Sequence, residues 1–221
     1  MEALSEHLTE LLRAPAAVAQ RCRDDAQMRS LVIVALGALV LGAAVFGGVL
    51  GSYRGGLQTL YSAIKLPLAW LATLVFCVPA FYAVAVTLGR PWRARELVAL
   101  VLASTARSAL ALLALAPVLW LWIDAGASYR GAAMAAVFAY GLAGLAGLGV
   151  LLRGLGGKGG GLAIAGAFVV LFGLAGGQTA WSLRPYLGRP SQSEVPFVRP
   201  PEGGFAGAVW TSGDSIRRGV R

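Results

Sequence analysis

Five long stretches that are almost free of charge constrain the fold of this chain more than any other feature. A helix needs about 20 apolar residues to cross a bilayer core about 30 Å thick, and each stretch reaches that length. They cover Leu31–Leu50, Leu66–Leu88, Leu97–Trp122, Gly131–Leu152 and Leu162–Leu183. Only 13% of the residues are charged, whereas soluble domains average about 25%. The sequence therefore predicts an all-α, polytopic membrane protein with five transmembrane helices.

These stretches divide the chain into three segments. We expect a cytoplasmic segment at residues 1–30, a five-helix transmembrane domain at residues 31–183, and an extended, Pro-rich tail at residues 184–221. The first apolar stretch lies too far from the start of the chain, and is too long, for a cleaved signal peptide. We therefore expect it to be retained.

The basic residues predict the orientation of the chain. Residues 1–30 and the second and fourth loops hold 9 Lys and Arg, whereas the first loop (with Lys65 counted in it) and the third loop hold 3. Cytoplasmic loops carry the excess of positive charge, so the N-terminus is expected inside and the C-terminus outside. The formal charge of +9 is spread over the ends of the helices. A nucleic-acid interface would concentrate it on one face, so we expect no nucleic-acid partner.

The first residues have the periodicity of an amphipathic helix. Their leucines recur at helical spacing, with glutamates on the rest of the helical wheel. The polar face is acidic, whereas helices that lie on membranes carry Lys and Arg there. We expect this helix to pack on its own protein or to dock on a cytoplasmic partner, and Pro15 to start a second short helix that runs to Met28. The docking residues are Leu4, Leu8, Leu11 and Leu12.

Arg107 is the single ionisable residue deep in a predicted span. An Arg at the bilayer centre costs about 2.5–3.5 kcal/mol on insertion scales. Ser104 and Ser108 share its helical face, so the side chain is expected to point into the bundle or towards a partner. No span contains Asp or Glu, which leaves carbonyls, hydroxyls, Gln178, a lipid phosphate or another chain's carboxylate as partners. A structural role and an anion, lipid or partner site both remain open.

Glycines recur at a spacing of three or four residues in several spans. Small residues at this spacing let helices approach closely. In a chain rich in Gly and Ala, this pattern favours packing within the molecule over dimerisation. The sets are Gly47–Gly51–Gly55, Gly141–Gly144–Gly147 and Gly173–Gly177.

The residue types that carry catalysis are scarce. His7 is the only histidine, and the two cysteines, Cys22 and Cys77, lie in different predicted segments. Haem, copper and histidine-ligated metals therefore lack a ligand set, and no nucleophilic triad or carboxylate pair is available in the spans. We expect no cofactor, no metal and no enzymatic activity.

The tail combines Pro190, Pro196, Pro200 and Pro201 with large aromatic side chains. Such segments favour an extended chain, and their aromatic side chains favour burial over exposure to water. We expect the tail to lie along the outer face of its own helices or to thread onto a partner. The residues expected to contact a partner or lipid are Arg107, Gln178, Trp181, Arg184, Tyr186, Phe197 and Phe205.

Two family resemblances follow from particular segments. Residues 177–188, Gly-Gln-Thr-Ala-Trp-Ser-Leu-Arg-Pro-Tyr-Leu-Gly, and residues 62–68, Ser-Ala-Ile-Lys-Leu-Pro-Leu, resemble a family of short bacterial multispan membrane proteins that end in a GQxxWxLRPYLG-type motif. The span number and the Lys-Leu-Pro-Leu entry to the second span are similar to Yip1-like five-span proteins. The resemblances imply a bacterial inner-membrane location and, for the second family, a role in membrane trafficking and organisation. Neither supplies a catalytic residue.

These observations lead to one prediction and two alternatives. The chain is expected to be a non-enzymatic anchor, or an accessory or scaffold subunit, of a larger membrane complex, in contact with lipid and with other protein subunits. The first alternative is a transporter of a small anionic solute or lipid that uses Arg107. The second is a Yip1-like membrane organiser.

Overall fold

The computed structural model is all-helical over the residues that it describes, which are 2–89, 93–156, 160–188, 197–198 and 204, with side chains from residue 6 onward. Within these ranges there are seven helices and no strand. They are α1 (Glu2–Arg13), α2 (Pro15–Arg21), α3 (Asp25–Ser52), α4 (Leu57–Thr87), α5 (Ala94–Asp124), α6 (Tyr129–Leu155) and α7 (Gly160–Ser182).

The last five helices, α3 to α7, are long and apolar enough to cross a membrane, which confirms the prediction of five long apolar helices. They run in alternating directions. At one end, Arg95 Nη2 donates to Asp25 Oδ2 at 2.7 Å. At the other end, the rings of Tyr53 and Tyr129 lie 6.0 Å apart. We call these the N-terminal end, where α1 and α2 lie, and the tail end, where the chain leaves α7.

Local capping explains several helix boundaries. The Asp24 carboxylate accepts from the Ala26 N–H at 3.1 Å and begins α3. Helix α2 ends at Arg21, and a new helix begins after the Asp24 cap. The prediction that the second helix runs to Met28 is therefore wrong. Ser128 caps α6 by accepting from the Gly131 N–H. Gly156 ends α6 with a φ of +83°, a backbone conformation that glycine adopts without strain.

The packing order leaves one side of the bundle open. Helix α3 packs on both α4 and α5, α6 packs on the far side of α5, and α7 packs mainly on α4. Helices α6 and α7 have much less contact with each other. They approach closely near their connection, where a Cβ atom at Gly161 would collide with the Leu155 carbonyl. In the apolar part of α5 61% of residues are buried, compared with 22% in α7. Helix α5 is therefore the core helix and α7 the most peripheral one.

Glycines permit the closest helix crossings on the packed side. A Cβ atom at Gly47 would collide with the Ser62 carbonyl of α4, and one at Gly42 with the Ala109 carbonyl of α5. One at Gly147 would collide with Ser104 and Ser108. At that crossing, Ser104 Oγ donates to the Gly147 carbonyl at 2.8 Å. These glycines are used for packing within the molecule, as small residues are in other membrane bundles.

The short helices close the N-terminal end. Helix α1 contacts α2, α3 and α5, and α2 lies mainly on α6. Arg21 of α2 binds two carboxylates of α1, Glu6 at 2.6 Å and Glu10 at 2.7 Å. His7 Nε2 lies 2.9 Å from Ser30 Oγ on α3. A polar network therefore joins α1 to α2 and to the start of α3.

Candidate functional site

At the tail end, one face of α4 holds the chain that follows α7. Gln58, Ser62 and Lys65 lie at i, i+4 and i+7, which places them on one side of the helix. Gln58 Nε2 donates to the carbonyls of Pro185 and Tyr186, both at 2.9 Å. Ser62 Oγ also donates to the Tyr186 carbonyl. We call these three α4 residues the tail-end cluster.

Lys65 is completely buried in this cluster. Its Nζ donates to the Pro185 carbonyl at 3.0 Å and lies 4.8 Å from the centre of the Phe197 ring. It forms no ion pair with a residue that the structure describes. A carbonyl dipole and an aromatic face both stabilise a cation. Lys65 therefore binds the chain that follows α7 to the buried face of α4.

The hydropathy pattern does not predict this cluster, because it places the charged Lys65 in the first loop. Helix α4 begins at Leu57 and includes Lys65. The opposite face carries Leu57, Leu60 and Ile64, all exposed. The spacing of these apolar residues already predicts a helix that leads into the second span, and α4 confirms it. The polar residues at a spacing of four and three on the opposite side were the available signal for the tail-end cluster.

Several predicted contact residues lie around this cluster. The Arg184 guanidinium stacks on Trp181, with 3.4 Å between Cζ and the ring centre, and Phe197 packs edge-on against Tyr61 at 5.2 Å. Gln178 Oε1 lies 3.5 Å from the position of a Cβ atom at Gly204. Phe205 lies outside the described residues. A role for these side chains towards a partner or lipid stays a prediction.

Tyr186 is partly buried and packs against the core at the same end. Its hydroxyl has no hydrogen-bond partner among the described residues. Burial raises the pKa of this hydroxyl, so Tyr186 stays neutral at physiological pH. The Tyr186 side chain therefore packs against apolar residues, whereas its backbone carbonyl accepts the hydrogen bonds that attach the tail to α4.

Arg107 lies away from the tail-end cluster. It is 17 residues before the end of α5, or about 26 Å along the helix axis at 1.5 Å per residue, whereas Gln178 is in the last turns of α7. Arg107 Nη1 is buried and has no hydrogen-bond partner among the described residues. The like charge of Arg153 on α6 acts on Arg107. Arg107 therefore lies apart from the tail residues with which the sequence grouped it.

The predicted docking leucines of α1 differ in their surroundings. Leu11 is fully buried in a core cluster that includes Val18 and Leu31, and Leu8 is partly buried against it. Leu12 is half exposed, and the side chain of Leu4 lies outside the description. Leu8 and Leu11 thus pack on their own protein, and docking of this helix on a partner stays a prediction.

Cys22, which follows α2, belongs to the same core and is fully buried. Burial raises the pKa of this thiol to about 12, although the nearby Arg23 acts in the opposite direction. A thiol without thiolate character is a poor nucleophile and a poor metal ligand. Cys22 therefore acts as a small core residue.

A cleft of about 820 Å³ lies beside the contact between α2 and α6 at the N-terminal end. We call it the α2–α6 cleft. Two guanidiniums line it: Arg23 Nη2 donates to the Gly154 carbonyl at 3.1 Å, and Arg153 Nη1 donates to the Gly149 carbonyl at 3.2 Å. No carboxylate is among the lining residues that the structure describes. They are Ala16, Ala19, Gln20, Arg23, Gly149, Leu152, Arg153, Gly154 and Gly156.

A second cavity of about 390 Å³ lies on the open side of the bundle, between α6 and α7. We call it the lateral cleft. Trp70 and Phe168 contribute aromatic walls, and Gly141, Gly144 and Gly173 contribute bare backbone. A Cβ atom at any of these three glycines would meet nothing within 4 Å. Its lining is almost wholly apolar, because the hydroxyls of Ser104, Thr105 and Ser108 donate to backbone carbonyls.

Within the described part of the chain, no three His, Cys, Asp or Glu side chains are grouped as a metal site would require. No family model, curated protein or solved structure matches this chain. The two family resemblances of the sequence therefore stay predictions, and functional inference rests on the described contacts and clefts.

Proposed function

We propose that this protein is a non-enzymatic scaffold or accessory subunit of a membrane complex, and that its lateral cleft receives a transmembrane helix of another subunit. The observation that carries the proposal is the contrast between two groups of glycines. Gly47 and Gly147 are filled by neighbouring helices, whereas Gly141, Gly144 and Gly173 have open space beside them. Small residues in membrane helices serve close helix contact, and the second group has no neighbour within contact distance among the residues that the structure describes.

The burial of α7 supports the same proposal. Four-fifths of its apolar part is unburied, since only 22% of those residues are buried. Large apolar side chains such as Val169 and Leu174 are exposed on it, and lipid can cover them. The lateral cleft is concave and exposes backbone at its glycines. Lipid tails fill such a surface less well than the ridge of a partner helix does.

Co-purification tests the proposal. The full chain is extracted from its native membranes in mild detergent, and a protein partner at fixed stoichiometry is expected. Gly144→Leu fills the cleft and should reduce recovery of the partner by at least tenfold. It should leave folding intact, because its side chain enters open space. Gly37→Leu is the matched control, since Gly37 also has nothing within 4 Å but lies on α3, outside the lateral cleft.

Two results would count against a subunit role. The first is a stable monomer or homo-oligomer with no partner in any mild detergent. The second is a partner that is retained equally by Gly144→Leu and Gly37→Leu. A monomer that instead retains an anionic ligand in an Arg107-dependent way would favour the transporter alternative.

A further inference from the structure

His7 is the only histidine of the chain, and its side chain is buried where α1, α2 and α3 meet. Its Nε2 lies 2.9 Å from Ser30 Oγ on α3, and its Nδ1 lies 3.0 Å from Nη1 of Arg21 on α2. A guanidinium has donors and no acceptor, so Arg21 donates and His7 Nδ1 accepts. The proton of the neutral ring is therefore on Nε2, which donates to Ser30. These two contacts fix one tautomer of the neutral ring.

Glu10 places an unused acceptor beside the same ring nitrogen. Its Oε2 lies 3.9 Å from His7 Nδ1, is buried and has no hydrogen-bond partner among the described residues. The other oxygen, Oε1, accepts from Arg21 Nη2 at 2.7 Å. A neutral ring with its proton on Nε2 cannot donate to Glu10, whereas a protonated ring donates from both nitrogens. Because a buried acceptor without a donor is costly, the position of Glu10 Oε2 indicates a second arrangement of these side chains.

The charges around the ring favour this second arrangement once the ring is protonated. Glu6 and Glu10 of α1 share the single guanidinium of Arg21, so negative charge exceeds positive charge in this group. An added positive charge on His7 is therefore attracted to Glu10. The other charged residues where α3 and α5 begin are exposed or are paired with one another. They are Asp25, Arg29, Arg93, Arg95 and Glu96.

We propose that His7, Glu10 and Arg21 form a proton-sensitive latch that holds α1 on α2. In the neutral form His7 Nδ1 accepts from Arg21, and in the protonated form Nδ1 donates to Glu10 while Arg21 Nη1 moves away. Protonation thus replaces a hydrogen bond between two helices with one inside α1, so α1 is held less firmly. Leu8 and Leu11, which pack α1 on the core, become more accessible as a result. The latch is independent of the lateral cleft and of any partner subunit.

Nitrogen NMR of the single imidazole tests the neutral form of the latch. The full chain, with isotope-labelled histidine and in detergent micelles, should show the Nε2–H tautomer alone at about pH 8, where histidine is neutral. Arg21→Met removes the donor to Nδ1 and should produce a mixture of both tautomers. Arg29→Met is the matched control, because Arg29 is exposed on α3, and it should keep the Nε2–H tautomer. The Nδ1–H tautomer in the wild type would overturn the proposal.

The reactivity of Cys22 measures how firmly α1 is held. Cys22 is fully buried in the core cluster that includes Leu11, and Cys77→Ser leaves it as the only thiol. His7→Gln is the reference, because its amide keeps an acceptor for Arg21 and a donor for Ser30 but does not titrate.

The measured quantity is the rate at which a soluble disulfide reagent modifies Cys22, divided by the rate in His7→Gln at the same pH. This ratio removes the direct effect of pH on the thiol. Between about pH 8 and about pH 5.5, where histidine gains its charge, the ratio should rise about tenfold or more, because one hydrogen bond from a charged donor is lost. A constant ratio over this range would overturn the proposal. If His7→Gln fails to fold, the tautomer of the wild type still decides it.

Discussion

The packed side and the open side of this bundle use the same residue in opposite ways. Between α3 and α4, Gly47 and Gly51 let two backbones touch, and a Cβ atom at either would collide with a carbonyl. Between α6 and α7, Gly141 and Gly144 face a cavity. The comparison shows that glycine spacing in a membrane helix indicates a close approach only where a neighbouring helix is present. Where none is present, we propose that it marks a place for a helix of another subunit.

The largest effect is expected on the packed side. Gly47→Ala should destabilise the protein by about 3 kcal/mol, because overpacking of a tight contact costs about 1–3 kcal/mol and the atom that must move is the Ser62 backbone. Thermal unfolding in detergent measures this. Gly48→Ala is the matched control, since its Cβ would lie at an ordinary 3.8 Å from Ala63. Equal stability of the two variants would contradict the α3–α4 packing.

The tail-end cluster is expected to show the next largest effect. Gln58→Ala should cost about 2 kcal/mol, because it removes the donor shared by the Pro185 and Tyr186 carbonyls and leaves buried polar groups with fewer partners. It should also speed chymotrypsin cleavage between Tyr186 and Leu187. Gln27→Ala, at an exposed position of α3, is the control and should do neither. If chymotrypsin cleaves this bond at the same rate in the wild type and in Gln58→Ala, the tail is not held by this cluster.

The open side should respond with the opposite sign. Gly141→Ala should stabilise the isolated protein by about 0.5–1 kcal/mol, because Ala is the better helix former and the new Cβ meets nothing within 4 Å. Gly37→Ala on α3 should give a similar gain. Unfolding of both variants in detergent, without any partner, checks this. A marked loss of stability in Gly141→Ala alone would mean that α6 and α7 close upon each other.

The sequence predicted the long helices well, because the apolar length that a bilayer demands is a strong and local signal. It placed Leu66 at the start of the second span, whereas α4 begins at Leu57. The reason is Lys65, a cation that a hydropathy pattern assigns to a loop. Its burial depends on the Pro185 carbonyl, 120 residues away in sequence, and no local pattern contains that contact.

The sequence pattern also does not predict the two clefts. The glycine pattern is the same at Gly147, which is packed, and at Gly144, which is open, so only the helix order distinguishes them. Likewise, Arg107 stands out in the sequence as an isolated charge in a span, whereas Arg153 falls in a predicted loop, where it indicates only the orientation of the chain. Helix α6 extends to Leu155, which brings Arg153 into a helix beside α2.

Photo-crosslinking in native membranes tests the scaffold proposal most directly. With Cys22 and Cys77 replaced by Ser, Leu145→Cys at the exposed rim of the lateral cleft and Leu41→Cys at an exposed position of α3 each receive a benzophenone maleimide, which inserts into the neighbour that it contacts. One discrete protein adduct at high yield is expected from position 145, and lipid adducts alone from position 41. Lipid adducts alone at both positions, or a single adduct of twice the chain's mass at position 145, would contradict a lateral cleft occupied by another subunit.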